Sequence, residues 1–197
     1  MSSQKFRNYF CTFVQPTDEE WQDLERVYRI KQLKKGDFLV SAGKVCREMN
    51  FLNTGNCRTY NLRDGKEITT NFFFAGSLVS DYSSFVQQIP SLEYIQALTD
   101  CEVLYFSYES MQYFYEKYPV MERFGRLIAE KVFLNIYQRQ NDLLLLTPKE
   151  RYLKLLKRRP KVVLNLPQIY IASYLGITPE YLSRLRRELK FGAENSQ

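Results

Sequence analysis

The chain has 197 residues, 45% of them hydrophobic, with four cysteines, no histidine and a net charge of +6. That is enough apolar material for one large domain or two small ones with packed cores, which argues against disorder. The missing histidine excludes His-based catalytic triads, His zinc sites and His-ligated haem together, and the apolar runs fall far short of the ~18–20 residues that span a bilayer.

The opening MSSQKFRNYF lacks the apolar centre of a secretory signal, so a cytoplasmic protein is expected. Cys11, Cys46, Cys57 and Cys101 form no C-x-x-C pair and are expected to be reduced and buried. No metal site and no cofactor is expected. The charge is unevenly placed: residues 147–197 carry eleven Lys/Arg against four Asp/Glu, whereas residues 1–146 carry 17 basic and 18 acidic groups. A basic segment joined to a neutral one suits a polyanion, the alternative being an ordinary solvated surface.

Thr17-Asp18-Glu19-Glu20 reads as a capping box opening a short helix, with Trp21, Leu24 and Tyr28 on one face. From residue 30 to about 107, short runs of Val, Ile, Phe, Tyr and Thr alternate with turn signals. These include Lys35-Gly36-Asp37, Asn53-Thr54-Gly55-Asn56, Arg63-Asp64-Gly65-Lys66 and Ala75-Gly76-Ser77, a spacing that predicts an antiparallel sandwich or barrel. Asp64-Gly65 is a two-residue hairpin signal. Residues 82–90 read as a short helix or loop, and residues 96–106 as closing strands.

A helix over residues 108–118 is broken at Pro119. A long one follows over about 120–146, in which Val120, Phe124, Ile128, Val132 and Ile136 form a stripe that Leu127, Phe133, Leu134 and Tyr137 widen. So broad an apolar surface needs cover on more than one side, which a second copy of the helix would supply; burial inside its own domain is the alternative. Thr147-Pro148-Lys149-Glu150 opens the next helix as a second capping box, and residues 161–164 read as a short strand.

The most specific pattern lies near the end. A helix over about 167–174 runs into Gly176, which supplies the tight turn. Thr178 caps a second helix that Pro179 begins. Ile171, Ala172, Leu175, Ile177, Leu182 and Leu185 are spaced to pack the pair together as a helix-turn-helix. Glu180, Ser183, Arg184 and Arg187 fall on its outer face. Arg184 suits guanine and Glu180 suits the amino group of cytosine, while Arg186, Arg187, Lys190 and the run Lys157-Arg158-Arg159 suit phosphates. The plainer reading is an i, i+4 pair between Glu180 and Arg184 on a solvated face.

Pro179-Glu180-Tyr181-Leu182-Ser183-Arg184 resembles the end of the Crp/Fnr family, that of the cyclic-AMP receptor protein. Lys35-Gly36-Asp37-Phe38, Phe51-Leu52-Asn53-Thr54-Gly55 and Asp64-Gly65-Lys66-Glu67 look like that family's β-roll strands and turns. The resemblance implies an α+β chain in three parts. These are an N-terminal cyclic-nucleotide-binding-type β jelly roll over residues 1–118, a long dimerisation helix over 119–146, and a C-terminal (winged) helix-turn-helix over 147–197. It implies a homodimer on pseudo-palindromic double-stranded DNA, with RNA polymerase among the partners it allows. It also implies a DNA-binding set of Thr178, Pro179, Glu180, Tyr181, Ser183, Arg184 and Arg187. Any wing would fall at residues 161–164.

The ligand loop departs from the family's pattern. Cyclic-nucleotide binders of the family carry Gly-Glu and then an Arg that neutralises the cyclic phosphate. Here the loop reads Phe74-Ala75-Gly76-Ser77-Leu78, and the Arg position falls on or near Ser91. A buried phosphate without its Arg is poorly compensated, so tight cyclic-AMP binding is not expected. An unknown small-molecule effector in the same cavity would meet Phe74, Gly76, Ser77, Leu78, Ser91 and Asn135; the alternative is a ligand-free or protein-regulated roll acting through protein–protein contacts. An iron–sulfur sensor fits badly, since only Cys11 lies near the N-terminus. An enzyme on a cupin-like barrel would need histidines, so no enzyme is expected.

Overall fold

A computed structural model describes residues 2–194 and divides into two compact units. The first comprises Met1–Asn61 and Asn71–Val132; the second comprises Leu62–Thr70 and Phe133–Gln197.

The first unit is a two-sheet roll covered by helices. One antiparallel sheet has the order β1 (Arg29–Leu33), β8 (Cys101–Ser107), β3 (Glu48–Thr54), β6 (Ser77–Val79). The other has the order β2 (Phe38–Val40), β7 (Tyr94–Ala97), β4 (Asn56–Arg63), β5 (Lys66–Phe74). Strand β3 is buried on both faces from Met49 to Asn53. Met49 and Phe51, opposite Phe106 and Leu104, share one face; Leu52, opposite Val103, takes the other. The first face meets aromatic side chains from α1 (Ser2–Cys11): Phe6 lies 5.3 Å from Phe51 and 5.4 Å from Phe106 between ring centroids. Phe10 stacks 4.3 Å from Phe124 of α5 (Pro119–Leu145). Helix α1 has no capping signal in the sequence; Phe6 and Phe10, buried one turn apart, hold it against the roll.

Local signals place most of the remaining elements. Thr17 and Glu20 form both bonds of the capping box that opens α2 (Asp18–Val27). Asp64 and Gly65 both take positive φ, 51° and 73°, as a type I′ hairpin turn requires. Residues 82–87 are helical, α3 (Tyr82–Gln87), capped by the Asp81 carboxylate. Ser107 caps α4 (Tyr108–Lys117), and Pro119 starts α5 in place of continuing α4.

The second unit contains α6 (Pro148–Arg158), α7 (Pro160–Asn165), α8 (Gln168–Leu175) and α9 (Pro179–Glu194). Thr147 and Glu150 form the predicted capping box of α6. The expected strand at residues 161–164 is not formed. That segment is α7, because Pro160 opens a helix that buries Val162 and Val163 one after the other against α6 and α8, so the place foreseen for a wing is helical. No strand follows α5 among the described residues.

Two arginines hold the end of α8. Arg139 donates to the Tyr174 carbonyl and lies 3.6 Å from the centroid of the Tyr174 ring. Arg151 donates from Nε to the Leu175 carbonyl at 3.1 Å and from Nη1 to the Leu146 carbonyl at 2.7 Å. Cations at a helix C-terminus satisfy carbonyls that have no partner within the helix and complement its dipole. Ser173, on the same helix, accepts from Thr69 N–H at 2.9 Å and donates to the Glu67 carbonyl at 3.1 Å, fastening the β4–β5 hairpin tip that belongs to this unit.

Replacing Arg151 by Met strands two carbonyls and is expected to lower stability by about 1–3 kcal/mol in denaturant unfolding; a cost equal to that of Lys157→Met at an exposed site would refute this role. Gly55 provides a second test. It has φ +86°, and a Cβ there would lie 2.5 Å from the Asp100 carbonyl oxygen and 2.5 Å from Cys101 Sγ. Gly65, at φ +73°, has open space around it. Gly65→Ala is therefore expected to cost about 1 kcal/mol from backbone strain, and Gly55→Ala about 3 kcal/mol or more from strain plus overlap, both read from urea midpoints.

Candidate functional site

The helix pair α8–α9 is fixed by its own backbone. Gly176 takes the left-handed conformation, φ 68° and ψ 37°, and Ile177 N–H reaches back to the Ala172 carbonyl at 3.0 Å. This is the hydrogen bond of a Schellman C-cap. Thr178 then accepts from Tyr181 N–H at 3.2 Å through its hydroxyl and from Leu182 N–H at 3.0 Å through its carbonyl. Ile171, Ala172, Leu175, Leu182 and Leu185 are buried between the helices and their neighbours. The turn sets the direction of α9, and the apolar face fixes its rotation, so the opposite face is determined.

On that face Thr178, Pro179, Glu180, Ser183, Arg184 and Arg187 are exposed, and Tyr181 is half-buried. The structure thus brings all seven sequence-predicted residues onto one surface at the start of α9. Glu180 is held below the usual carboxylate range, first by its own backbone N–H and then by the Thr178 hydroxyl. It is therefore ionised, an acceptor only. Arg184 does not pair with Glu180 among the described residues; its guanidinium lies over the Tyr181 ring at 4.9 Å from the centroid. Such a contact orients the fork while leaving its donors directed outward. The plain surface ion pair is thus not the arrangement formed.

The other cations fall into two groups. Lys149, Lys157, Lys161, Arg184 and Arg187 are exposed, as is Arg158, which donates to the Gln138 side-chain oxygen. Arg151, Lys154 and Arg186 are engaged within the unit: Lys154 pairs with Asp142, and Arg186 donates to the Val163 carbonyl at 3.2 Å. Arg186, read from the sequence as a phosphate contact, turns back to hold α7. Helical spacing puts Arg187, and not Arg186, on the face of Glu180 and Arg184, but that Arg186 holds the Val163 carbonyl follows only from where α7 lies. The side chain of Lys190 lies outside the described residues.

The residues expected to meet an effector are less well gathered. Gly76 borders an open depression with Lys5, Asn8, Tyr9, Thr12 and Ala75. Leu78 lines a separate apolar cavity with Phe6, Phe10, Met49 and Phe106. Phe74 is half-buried, and its carbonyl accepts from the Ser77 hydroxyl at 2.7 Å. Ser91 is buried and donates to the Asp81 carboxylate at 2.6 Å. Asn135 is exposed and belongs to the second unit. Asp81, which the sequence reading did not single out, also accepts from Ser84 N–H at 3.1 Å. Where the family's phosphate-binding arginine is expected, the roll carries a serine bonded to an internal carboxylate, and an anion there would meet like charge.

A family profile for the cyclic nucleotide-binding domain matches residues 30–118. No curated protein sequence matches the chain. Solved structures match at low identity. A Crp/Fnr-family putative transcriptional regulator from Eubacterium rectale has a TM-score of 0.72 at 18% identity, covering 94% of this chain and 88% of its own. FixK2 from Bradyrhizobium japonicum has a TM-score of 0.71 at 18% identity, with 85% and 86% covered. A CooA variant from Carboxydothermus hydrogenoformans has a TM-score of 0.69 at 18% identity, with 90% and 86% covered. No helix among the described residues is long and apolar enough to cross a membrane. Residues 30–118 thus match the cyclic nucleotide-binding domain family, and the chain shares its fold with solved Crp/Fnr-type transcription regulators.

Proposed function

We propose that this protein is a dimeric, sequence-specific DNA-binding transcription regulator of the cytoplasm and not an enzyme. The observation that carries the reading is the exposed face of α9, on which an ionised Glu180, Ser183 and an oriented Arg184 follow directly on a fixed turn. Residues near the start of a second helix in this motif enter the major groove. Arg184 reads guanine, Glu180 reads the cytosine amino group, and Thr178, Pro179, Tyr181 and Arg187 complete the contact surface. Lys157, Arg158 and Lys161 lie on exposed positions suited to phosphates.

The division of labour follows the three parts of the chain: a sensor roll over residues 1–118, a dimer helix over 119–146 and a DNA-binding part over 147–197. Along α5, Phe124 and Ile128 are buried, whereas Phe133, Leu134, Ile136 and Tyr137 are 55–66% exposed. Four large apolar side chains in one exposed stretch are the surface a second copy would cover. The roll responds to an unidentified small molecule, for which Phe74, Gly76, Ser77, Leu78 and Ser91 remain the proposed contacts, and RNA polymerase is the partner through which transcription changes.

Selection from a random duplex pool should return a pseudo-palindrome with half-sites about one helical turn apart. Arg184→Ala should relax preference at one position by about 1–3 kcal/mol, whereas Lys157→Ala should weaken all sequences alike and flatten the salt dependence. Unchanged operator preference in Arg184→Ala would remove the base-reader assignment. Sedimentation of Ile136→Glu should show a monomer at concentrations where the wild type is a dimer; a monomeric wild type would sink the dimer reading. Titration calorimetry with cyclic AMP should give no micromolar binding, and a micromolar constant would overturn the reading of Ser77 and Ser91.

A further inference from the structure

Cys57 and Cys101 come together in the core of the roll. Cys57 lies in β4 of one sheet and Cys101 begins β8 of the other, 44 positions apart in the chain. Their sulfurs are 3.9 Å apart, and the two residues are 0% and 2% exposed. Neither of the other cysteines has a sulfur neighbour: Cys46 Sγ is 3.2 Å from the Ser80 hydroxyl, and Cys11 is half-buried in α1. Closing the pair to the ~2.05 Å of a disulfide requires a shift of about 2 Å, within reach of side-chain rotation and slight movement of a strand end. The Cys101 side is constrained already, since Gly55 has no Cβ and its neighbour's sulfur occupies that space.

We infer that Cys57 and Cys101 form a dithiol that hydroperoxides oxidise to a disulfide joining the two sheets of the roll. The two sulfurs have unequal roles. The contact between the two sulfurs, in which either can donate, acts against burial and draws Cys101 down to about 7. That same contact, together with burial, pushes Cys57 well up. Cys101 Sγ also donates to the Thr99 carbonyl at 3.1 Å, so it acts as the thiolate once it gives up that proton, which the contact with Cys57 favours. Cys101 also follows directly on exposed Thr99 and Asp100, so a molecule the size of peroxide reaches it by a small opening of one turn.

The chemistry balances. Cys101 thiolate attacks one peroxide oxygen, forming an S–O bond and breaking the O–O bond; the departing hydroxide takes up a proton to become water. Cys57 then attacks Cys101 Sγ, forming the S–S bond and breaking the S–O bond, and its proton leaves with the second hydroxide as water. Two thiols lose two electrons and one hydrogen peroxide is reduced to two waters.

The inference stands apart from the DNA-binding reading and is tested without DNA. Reduced full-length protein would be treated with a modest excess of hydrogen peroxide, its remaining thiols alkylated under denaturing conditions, and its peptides mapped by mass spectrometry. The expected result is loss of two of the four thiols, one crosslinked pair containing Cys57 and Cys101, recovery with dithiothreitol and a higher Tm for the oxidised form. Cys57→Ser should lose the crosslink and leave Cys101 as a sulfenic acid that dimedone traps. Should the serine variants fail to fold, the wild-type map decides alone. The inference is overturned if Cys57 and Cys101 stay reduced at peroxide levels that oxidise Cys11, or if either pairs with Cys11 or Cys46.

Discussion

A strand buried on both faces must be covered twice, and β3 imposes that requirement on the roll. Its run from Met49 to Asn53 has no exposed residue. The second sheet covers one face. The other is covered by helices whose contribution is largely aromatic, with Phe6, Phe10, Phe114 and Phe124 all in the same core cluster. Burying a large aromatic side chain is worth about 1.5–3 kcal/mol each before entropy is counted, so the helices belong to the roll as much as the strands do.

That requirement reaches into the functional part of the chain through α5. Its first half must present Met121, Phe124 and Ile128 inward. The same uninterrupted helix then carries Phe133, Leu134, Ile136 and Tyr137 at positions with no cover of their own. One element thus carries buried apolar residues in its first half and exposed ones in its second. Arg139 of α5 and Arg151 of α6 cap the carbonyls of α8, so the helix-turn-helix is tied at its first helix by charge and hydrogen bonds as well as by Leu175 and Ile171.

The roll keeps the frame of a nucleotide-binding fold with different side chains at the anion position. The Ser91 hydroxyl and Asp81 carboxylate satisfy each other, and the α3 N-terminus is capped from inside the chain. A helix N-terminus already bonded to an internal carboxylate offers less to an external phosphate. The dithiol lies elsewhere in the same core, where two sheets approach within contact of two sulfurs.

Several features were determined by the sequence itself because the forces involved are local. Both capping boxes, the Asp64-Gly65 turn, the Gly176 turn and the Thr178 cap each join residues a few positions apart, so residue type and spacing suffice. The face bearing Glu180, Ser183 and Arg184 was legible for the same reason: helical periodicity and the apolar set fix it. Tertiary structure alone decided the rest. Helix α1 has no cap to mark it and is held by distant Phe51 and Phe124. Residues 161–164 looked like a strand, yet packing against α6 and α8 made them helix. Helical period sets Arg187 apart from Arg186, but only the position of α7 gives Arg186 a carbonyl to hold. Cys57 and Cys101 meet because two sheets fold together, a contact between residues far apart in the chain that no local pattern encodes.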